Sequence, residues 1–173
     1  MQKYQKNPRI KLFSVSYPGD IAVNLGNELK PMQTKDKPEV KWEAEKGAFY
    51  TLIKIDLDAP NRKKPIWSEI RHWLVMNIPE VEVEKGDEIV EYIGAGPPPD
   101  GGLHRYVFLV FKQPNGRIEH NEPRSTKQQW INRANTSVIE FMRKYKLGDP
   151  EYGNFYQGQW DEYSDILKAQ LMG

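Results

Sequence analysis

The stretch Tyr106-Val-Phe-Leu-Val-Phe111 decides the fold class. Consecutive apolar residues of β-branched and aromatic type, too few for an ordinary helix, read as a strand apolar on both faces and therefore central, covered on both sides. That strand extends over residues 104–112, and working outward from it residues 21–25, 40–42, 50–57, 70–77 and 89–93 also have strand character. The 13 glycines and 13 prolines fall between these segments, as turn punctuation does in a strand-rich chain. Most connections lack a helical period, so antiparallel pairing is expected, with a second sheet supplying the other cover.

The last third changes character. Thr126-Lys-Gln-Gln129 and Ser137-Val-Ile-Glu140 both fit the capping box. Val138, Phe141, Met142 and Tyr145 then recur at helical spacing, with Gly148 and Pro150 as a stop. Residues 161–171 place Ile166, Leu167 and Leu171 on one helical stripe behind acidic residues that suit a helix N-terminus. The expected outline is a β-sandwich with late helices, in a single domain spanning residues 1–173.

Composition narrows the function. Lys plus Arg number 25 and Asp plus Glu 24, for a net charge of +1, so no overall field steers the chain onto nucleic acid or an anionic membrane. With no cysteine, disulfides, thiolate metal sites and a cysteine nucleophile are excluded. No apolar run approaches the roughly 20 residues of a membrane span, and the basic residues 1–11 lead into no apolar core of a signal peptide. A soluble chain is expected.

Three segments hold candidate chemistry. Asp56-Leu-Asp58-Ala-Pro60 ends a strong strand, with both carboxylates on the side of Leu52; it reads either as an Asx-type turn or as paired carboxylates for acid–base work. His72 shares a strand face with Ile70, Leu74 and Met76, which fits a hydrogen-bonded core histidine as well as a ligand-binding one. Gly94-Ala-Gly-Pro-Pro-Pro-Asp-Gly-Gly-Leu-His104-Arg-Tyr106 combines a rigid proline run with glycines that allow close backbone approach, and puts His104 and Tyr106 on one strand face. Together two imidazoles, two carboxylates, a phenol and backbone N–H groups suit a small anion such as a phosphate monoester. The carboxylates then orient the histidines or hold a proton, since a bare carboxylate repels a dianion. A zinc site from His72, His104 and a carboxylate lacks the expected spacing, no Gly-x-Ser-x-Gly elbow exists, and Gly94-Ala-Gly96 leads into no helix.

At these residues the chain resembles the phosphatidylethanolamine-binding protein family, whose animal members include the Raf kinase inhibitor proteins. The resemblance rests on Tyr50-Thr-Leu-Ile-Lys-Ile-Asp56-Leu-Asp58-Ala-Pro60-Asn-Arg62, on His72-Trp-Leu-Val-Met-Asn77, on Gly94-Ala-Gly-Pro-Pro98, and on Gly102-Leu-His104-Arg105-Tyr106. Phe141-Met-Arg-Lys-Tyr145, Tyr156-Gln157 and Trp160-Asp161-Glu-Tyr163 also match in order. It implies a large central antiparallel sheet packed on a smaller sheet, with C-terminal helices. It also implies an anion pocket for phosphate or phosphoethanolamine-like headgroups, lined by Asp56, His72, Pro98, His104 and Tyr106 and supported by Asp58, with Ala59–Pro60 a candidate cis bond.

Four residues depart from the family pattern. Leu57 replaces the usual proline between the aspartates, and Lys168 stands where mammalian relatives place a tyrosine over the pocket mouth, which would put a cation near a bound phosphate. Glu140 stands where mammalian kinase inhibitors carry a phosphorylatable serine, and a fixed charge cannot be toggled. Ile70 replaces the tyrosine or histidine of the plant flowering regulators and favours the animal type. The resemblance implies a non-enzymatic binding module without cofactor or metal that modulates kinase signalling. Its expected partners are a phosphorylated small molecule or phospholipid headgroup and a protein kinase or protease, with no nucleic acid and no integral membrane association. A monomer in the cytoplasm is expected, or outside the cell if an N-terminal signal has been removed. The alternatives are a protease or kinase inhibitor acting through a surface loop, and a metal-assisted hydrolase.

Overall fold

The computed structural model describes residues 10–172; most of the stretch read above for a signal peptide lies outside them. Its strands are β1 Lys11–Leu12, β2 Ser14–Tyr17, β3 Ile21–Ala22, β4 Asn27–Glu28, β5 Glu39–Lys41, β6 Phe49–Asp56, β7 Ile70–Pro79, β8 Asp87–Val90, β9 His104–Gln113 and β10 Tyr152–Gly158. The helices are α1 Val138–Tyr145 and α2 Glu162–Met172. A 7-stranded sheet runs β1–β10–β9–β6–β7–β8, and β4 lies beside β1 along the outer edge of β10. Pairing is antiparallel from β10 to β8; only β1 and β4 join in parallel, so the large sheet is mixed at that one edge. The smaller sheet is β3–β2–β5.

β9 is central, as its two apolar faces require. Tyr106, Phe108 and Val110 pack toward the small sheet with Val15, Val40 and Leu52. Val107, Leu109 and Phe111 pack on the opposite face with Ile53, Ile55 and Phe141 of α1. The expected second sheet thus covers one face of β9, and the helix α1 covers the other. Each such fully buried side chain stabilises the fold by roughly 1.5–3 kcal/mol relative to exposure.

The helical expectations hold at α1 and fail at the other capping box. Ser137 Oγ accepts from Glu140 N at 3.2 Å and starts α1. The helix stops at Lys146, in the left-handed region at φ 52°, before Gly148 is reached. Gln129 Oε1 does accept from Thr126 N at 3.0 Å, but the segment continues as turns. The reason lies in Arg133, wholly buried, whose guanidinium collects the carbonyls of Gln129, Arg71, Glu91 and Thr126 and so holds them away from a helical ladder. On α2 the inward residues are Tyr163, Ser164 and Leu167, with Leu171 partly buried; Ile166, expected on that stripe, faces out. The segment expected at 21–25 shortens to two residues, because Leu25 turns into the left-handed region at φ 47° to bring Gly26 N onto Phe155 O at 2.8 Å.

Candidate functional site

The site gathers where β6 and β9 end side by side and the 94–101 loop returns over them. Asp56 pairs with Tyr106 across the β6–β9 ladder. As β6 ends, Asp56 Oδ1 accepts from Asp58 N at 2.8 Å, the Asx turn anticipated from sequence. Ala59–Pro60 is cis, the isomer that the family resemblance suggested.

The two aspartates have separate tasks. Asp58 accepts from Arg105 N, Nε and Nη2 at 2.8–2.9 Å, and Arg62 Nε stands 3.4 Å away. Burial pushes its carboxyl up, but the Arg105 bonds and charge outweigh that and leave it below the usual range. Asp58 thus clamps the turn onto β9. Asp56 Oδ2 lies 2.8 Å from His104 Nδ1, and His104 Nε2 lies 3.0 Å from Pro60 O. Both partners are acceptors, so the ring is fully bonded only as imidazolium. Burial opposes that charge, and the Asp56 bond and charge, with the Pro60 carbonyl, overcome it and raise the His104 pKa.

His72 is aimed by a defect in the sheet. Lys54 pairs with Trp73 while the next residue, Ile55, pairs with Arg71, which leaves His72 as the extra residue of a bulge in β7. Simple alternation grouped it with Leu74 and Met76, but those pack on the α1 side. The bulge instead sets the His72 ring edge-on to Tyr106, centroids 5.3 Å apart. Gly94 O is 2.9 Å from Nδ1 and can only accept, so Nδ1 carries the proton and Nε2 keeps its lone pair. Burial, and after it the Lys54 and Arg133 charges, hold the His72 pKa well below its ordinary value.

Tyr106 joins these groups. Its ring stacks on His104 at 6.3 Å and on Tyr156 at 5.0 Å, and its wholly buried hydroxyl makes no hydrogen bond of standard geometry among the described residues, although the Gly96 backbone N–H acts on its oxygen. Burial raises its pKa well above the usual value, so it stays a donor. An unsatisfied buried hydroxyl costs about 1–3 kcal/mol and calls for a ligand or water.

The loop fits without slack. A Cβ on Gly101 would sit 2.6 Å from Pro60 O and 2.9 Å from both His104 Nε2 and Pro98 Cγ, and one on Gly94 would meet Thr34 O at 2.6 Å. Gly101→Ala is therefore expected to lower folding stability by about 1–3 kcal/mol and to displace the His104 ring signals, as followed by urea denaturation and NMR. A variant with wild-type stability and ring shifts would contradict this packing.

Of the residues singled out from sequence, Asp56, His72, His104 and Tyr106 meet directly, and Asp58 braces them from outside. Pro98 is half-buried and anchors the loop through its carbonyl, which accepts from Gly101 N at 3.1 Å. Lys168 is exposed on α2; from that helix Leu167 packs on the loop, its Cδ2 lying 2.8 Å from a Cβ built on Gly96. Sequence reasoning passed over Lys54, although the alternation Leu52, Lys54, Asp56 puts it on the same inward face. Among the described residues no group of three or more His, Asp or Glu side chains is arranged to hold a metal, and no helix is long and apolar enough to cross a membrane.

The sequence matches the family model described as phosphatidylethanolamine-binding protein over residues 19–157. It is 36% identical over 166 residues to the putative odorant-binding protein A5 of Drosophila melanogaster, covering 96% of this chain and 79% of that protein. The solution structure of CG7054 superposes with a TM-score of 0.78 at 38% identity, covering 94% of this chain and 92% of the other. A phosphatidylethanolamine-binding protein from Plasmodium vivax shares the fold at 19% identity, TM-score 0.69, over 91% of each chain. So does carboxypeptidase Y inhibitor, solved with its cognate proteinase, at 23% identity and TM-score 0.70 over 87% of this chain and 83% of that one.

Proposed function

The chain belongs to the phosphatidylethanolamine-binding protein family, and from that premise we propose that it is a binding protein for small phosphorylated ligands or the phosphorylated headgroup of a lipid. The observation that carries this reading is the buried Tyr106 hydroxyl, which makes no hydrogen bond of standard geometry among the described residues, on a ring edge-on to the neutral His72. A phosphate bearing one proton accepts from Tyr106 and donates to His72 Nε2, which satisfies both groups at once. The His104 imidazolium and the buried Lys54 and Arg133 make the surroundings favourable to an anion.

Binding without turnover is supported by the same geometry. Both nitrogens of His104 are committed, Asp58 is held by Arg105, and the depressed pKa of His72 makes it a weak base near neutrality. On this reading occupancy of the pocket alters the loop surface offered to a protein partner, a kinase or protease, and so couples a small ligand to signalling.

The test is an NMR titration of labelled protein with inorganic phosphate, following the His72 and His104 rings and the amides of residues 94–106. Tyr106→Phe removes a hydroxyl that donates to no described residue, so it is expected to change stability little while weakening phosphate binding about tenfold, the value of one hydrogen bond to a charged group. His72→Ala is expected to weaken it at least as much. Unchanged affinity in both folded variants would defeat the proposal.

A further inference from the structure

Behind Tyr106 lies a lysine that the anion pocket as described does not use. Lys54 is wholly buried. Its Nζ stands 4.7 Å from the ring centroid of Tyr92, 5.2 Å from that of Tyr156, 5.4 Å from Tyr106 and 5.6 Å from Phe108. Its polar contacts are long and neutral: Tyr17 Oη and Tyr92 Oη at 3.3 Å, and Ile93 O at 3.4 Å. The tyrosine oxygens are already engaged with each other at 2.7 Å, and Tyr92 donates to Thr34 O at 2.6 Å. No carboxylate pairs with this ammonium among the described residues. The nearest on its own strand face, Asp56, is engaged by His104 and the Asp58 N–H.

Several aromatic rings around one cation form the kind of cage that recognises ammonium ligands. Here the protein's own lysine fills it. The arrangement therefore places an amine without a counter-charge one ring deep behind the pocket, a cation whenever it is protonated.

Resting on the phosphate-binding reading above, we infer that Lys54 sets the specificity of the pocket: it selects phosphorylated ligands that carry no cation of their own and disfavours zwitterionic headgroups such as phosphoethanolamine. The phosphate supplies the counter-charge that Lys54 lacks, acting through the Tyr106 ring and the Ile93–Gly94 backbone, which touches both Lys54 and His72. A ligand ammonium partly cancels that charge and is repelled by Lys54. Burial pushes the amine well below its ordinary pKa, opposed by the Asp56 charge, and Lys54 in turn depresses His72. An anion in the pocket favours the protonated amine, so the ligand and a charged Lys54 stabilise each other.

The experiment compares two near-isosteric ligands, 2-hydroxyethyl phosphate and phosphoethanolamine, by calorimetry on the full chain and on Lys54→Met. Methionine keeps the length of the side chain and a favourable contact with rings; folding is checked by circular dichroism and thermal melting. Wild type is expected to prefer 2-hydroxyethyl phosphate on the order of tenfold, the effect of a unit charge several ångströms away at an effective dielectric constant near 20. Lys54→Met is expected to bring the ratio close to one, chiefly by weakening 2-hydroxyethyl phosphate. Equal affinities in the wild type overturn the inference whatever the variant does, and so does an unchanged preference in folded Lys54→Met. Binding of neither ligand to the wild type would instead remove the phosphate-binding reading on which it rests.

Discussion

Glu122→Ala is expected to lower folding stability by about 3–5 kcal/mol, the cost of leaving a buried charge without its partner. Glu122 lies buried outside the candidate site and accepts from Arg71 Nη1 and Lys144 Nζ at 2.9 Å and from Tyr145 Oη at 2.6 Å. It ties β7 to α1 through a segment without regular structure. Arg71 is itself buried, over the Phe141 ring at 5.2 Å, and its Nε has no hydrogen-bond partner among the described residues. Burial pushes the Glu122 carboxyl up, but the tyrosine, lysine and arginine bonds hold it down at about 2, against an ordinary 4.5. Because its folded pKa is depressed, its contribution is fully present above pH 4.5 and is lost as pH falls toward 2. That loss amounts to about 3 kcal/mol. Urea denaturation at pH 7 measures the first quantity, and stability curves from pH 5 to pH 2 the second. Wild type and Glu122→Ala with superimposable acid profiles would refute the assignment.

The second large effect is expected at Asp56→Asn. The amide preserves shape but offers one acceptor oxygen where the carboxylate met two donors, Asp58 N and His104 Nδ1, and it cannot answer the imidazolium charge. His104 should then titrate below its ordinary 6.5 instead of above it, because burial, the largest influence on it, is no longer outweighed. In the wild type a raised folded pKa contributes stability that is complete below pH 6.5 and disappears as pH rises through the folded value. The variant should lack that contribution and be less stable at pH 6 by about 1.5–3 kcal/mol, the range for a hydrogen bond to a charged group. Ring-proton NMR across pH 5–9 reads the pKa directly. A His104 that titrates alike in both proteins would show that Pro60 O, and not Asp56, governs the ring.

Residues with short-range signals were legible in the chain. Strand β9 announced itself through six apolar residues in a row, and α1 through Ser137 and its apolar period. The Asx turn at Asp56 and Asp58 needed only the local preference of aspartate for its own backbone. Strand β10 escaped for the opposite reason. Tyr152-Gly-Asn-Phe-Tyr-Gln-Gly158 has turn-like composition, yet Asn154 is buried there because its Nδ2 donates to Phe13 O and Val23 O at 2.9 Å and its Oδ1 accepts from Leu25 N at 3.1 Å. That asparagine satisfies backbone more than a hundred residues away in the chain, which no local window records.

The candidate site divides along the same line. By itself the sequence determined which chemical groups are present, their order along the chain, that Asp56 ends one strand and that His104 and Tyr106 share one face of another, since these follow from residue type and period-2 geometry. Only the tertiary structure decided what each group does. The bulge that turns His72 toward Tyr106, the carbonyls that make one histidine a cation and leave the other neutral, and the rings that close over Lys54 all depend on strand register and burial. A pKa or an unpaired hydroxyl is a property of the surroundings, and those surroundings are built by residues distant in sequence that meet only when the sheet is assembled.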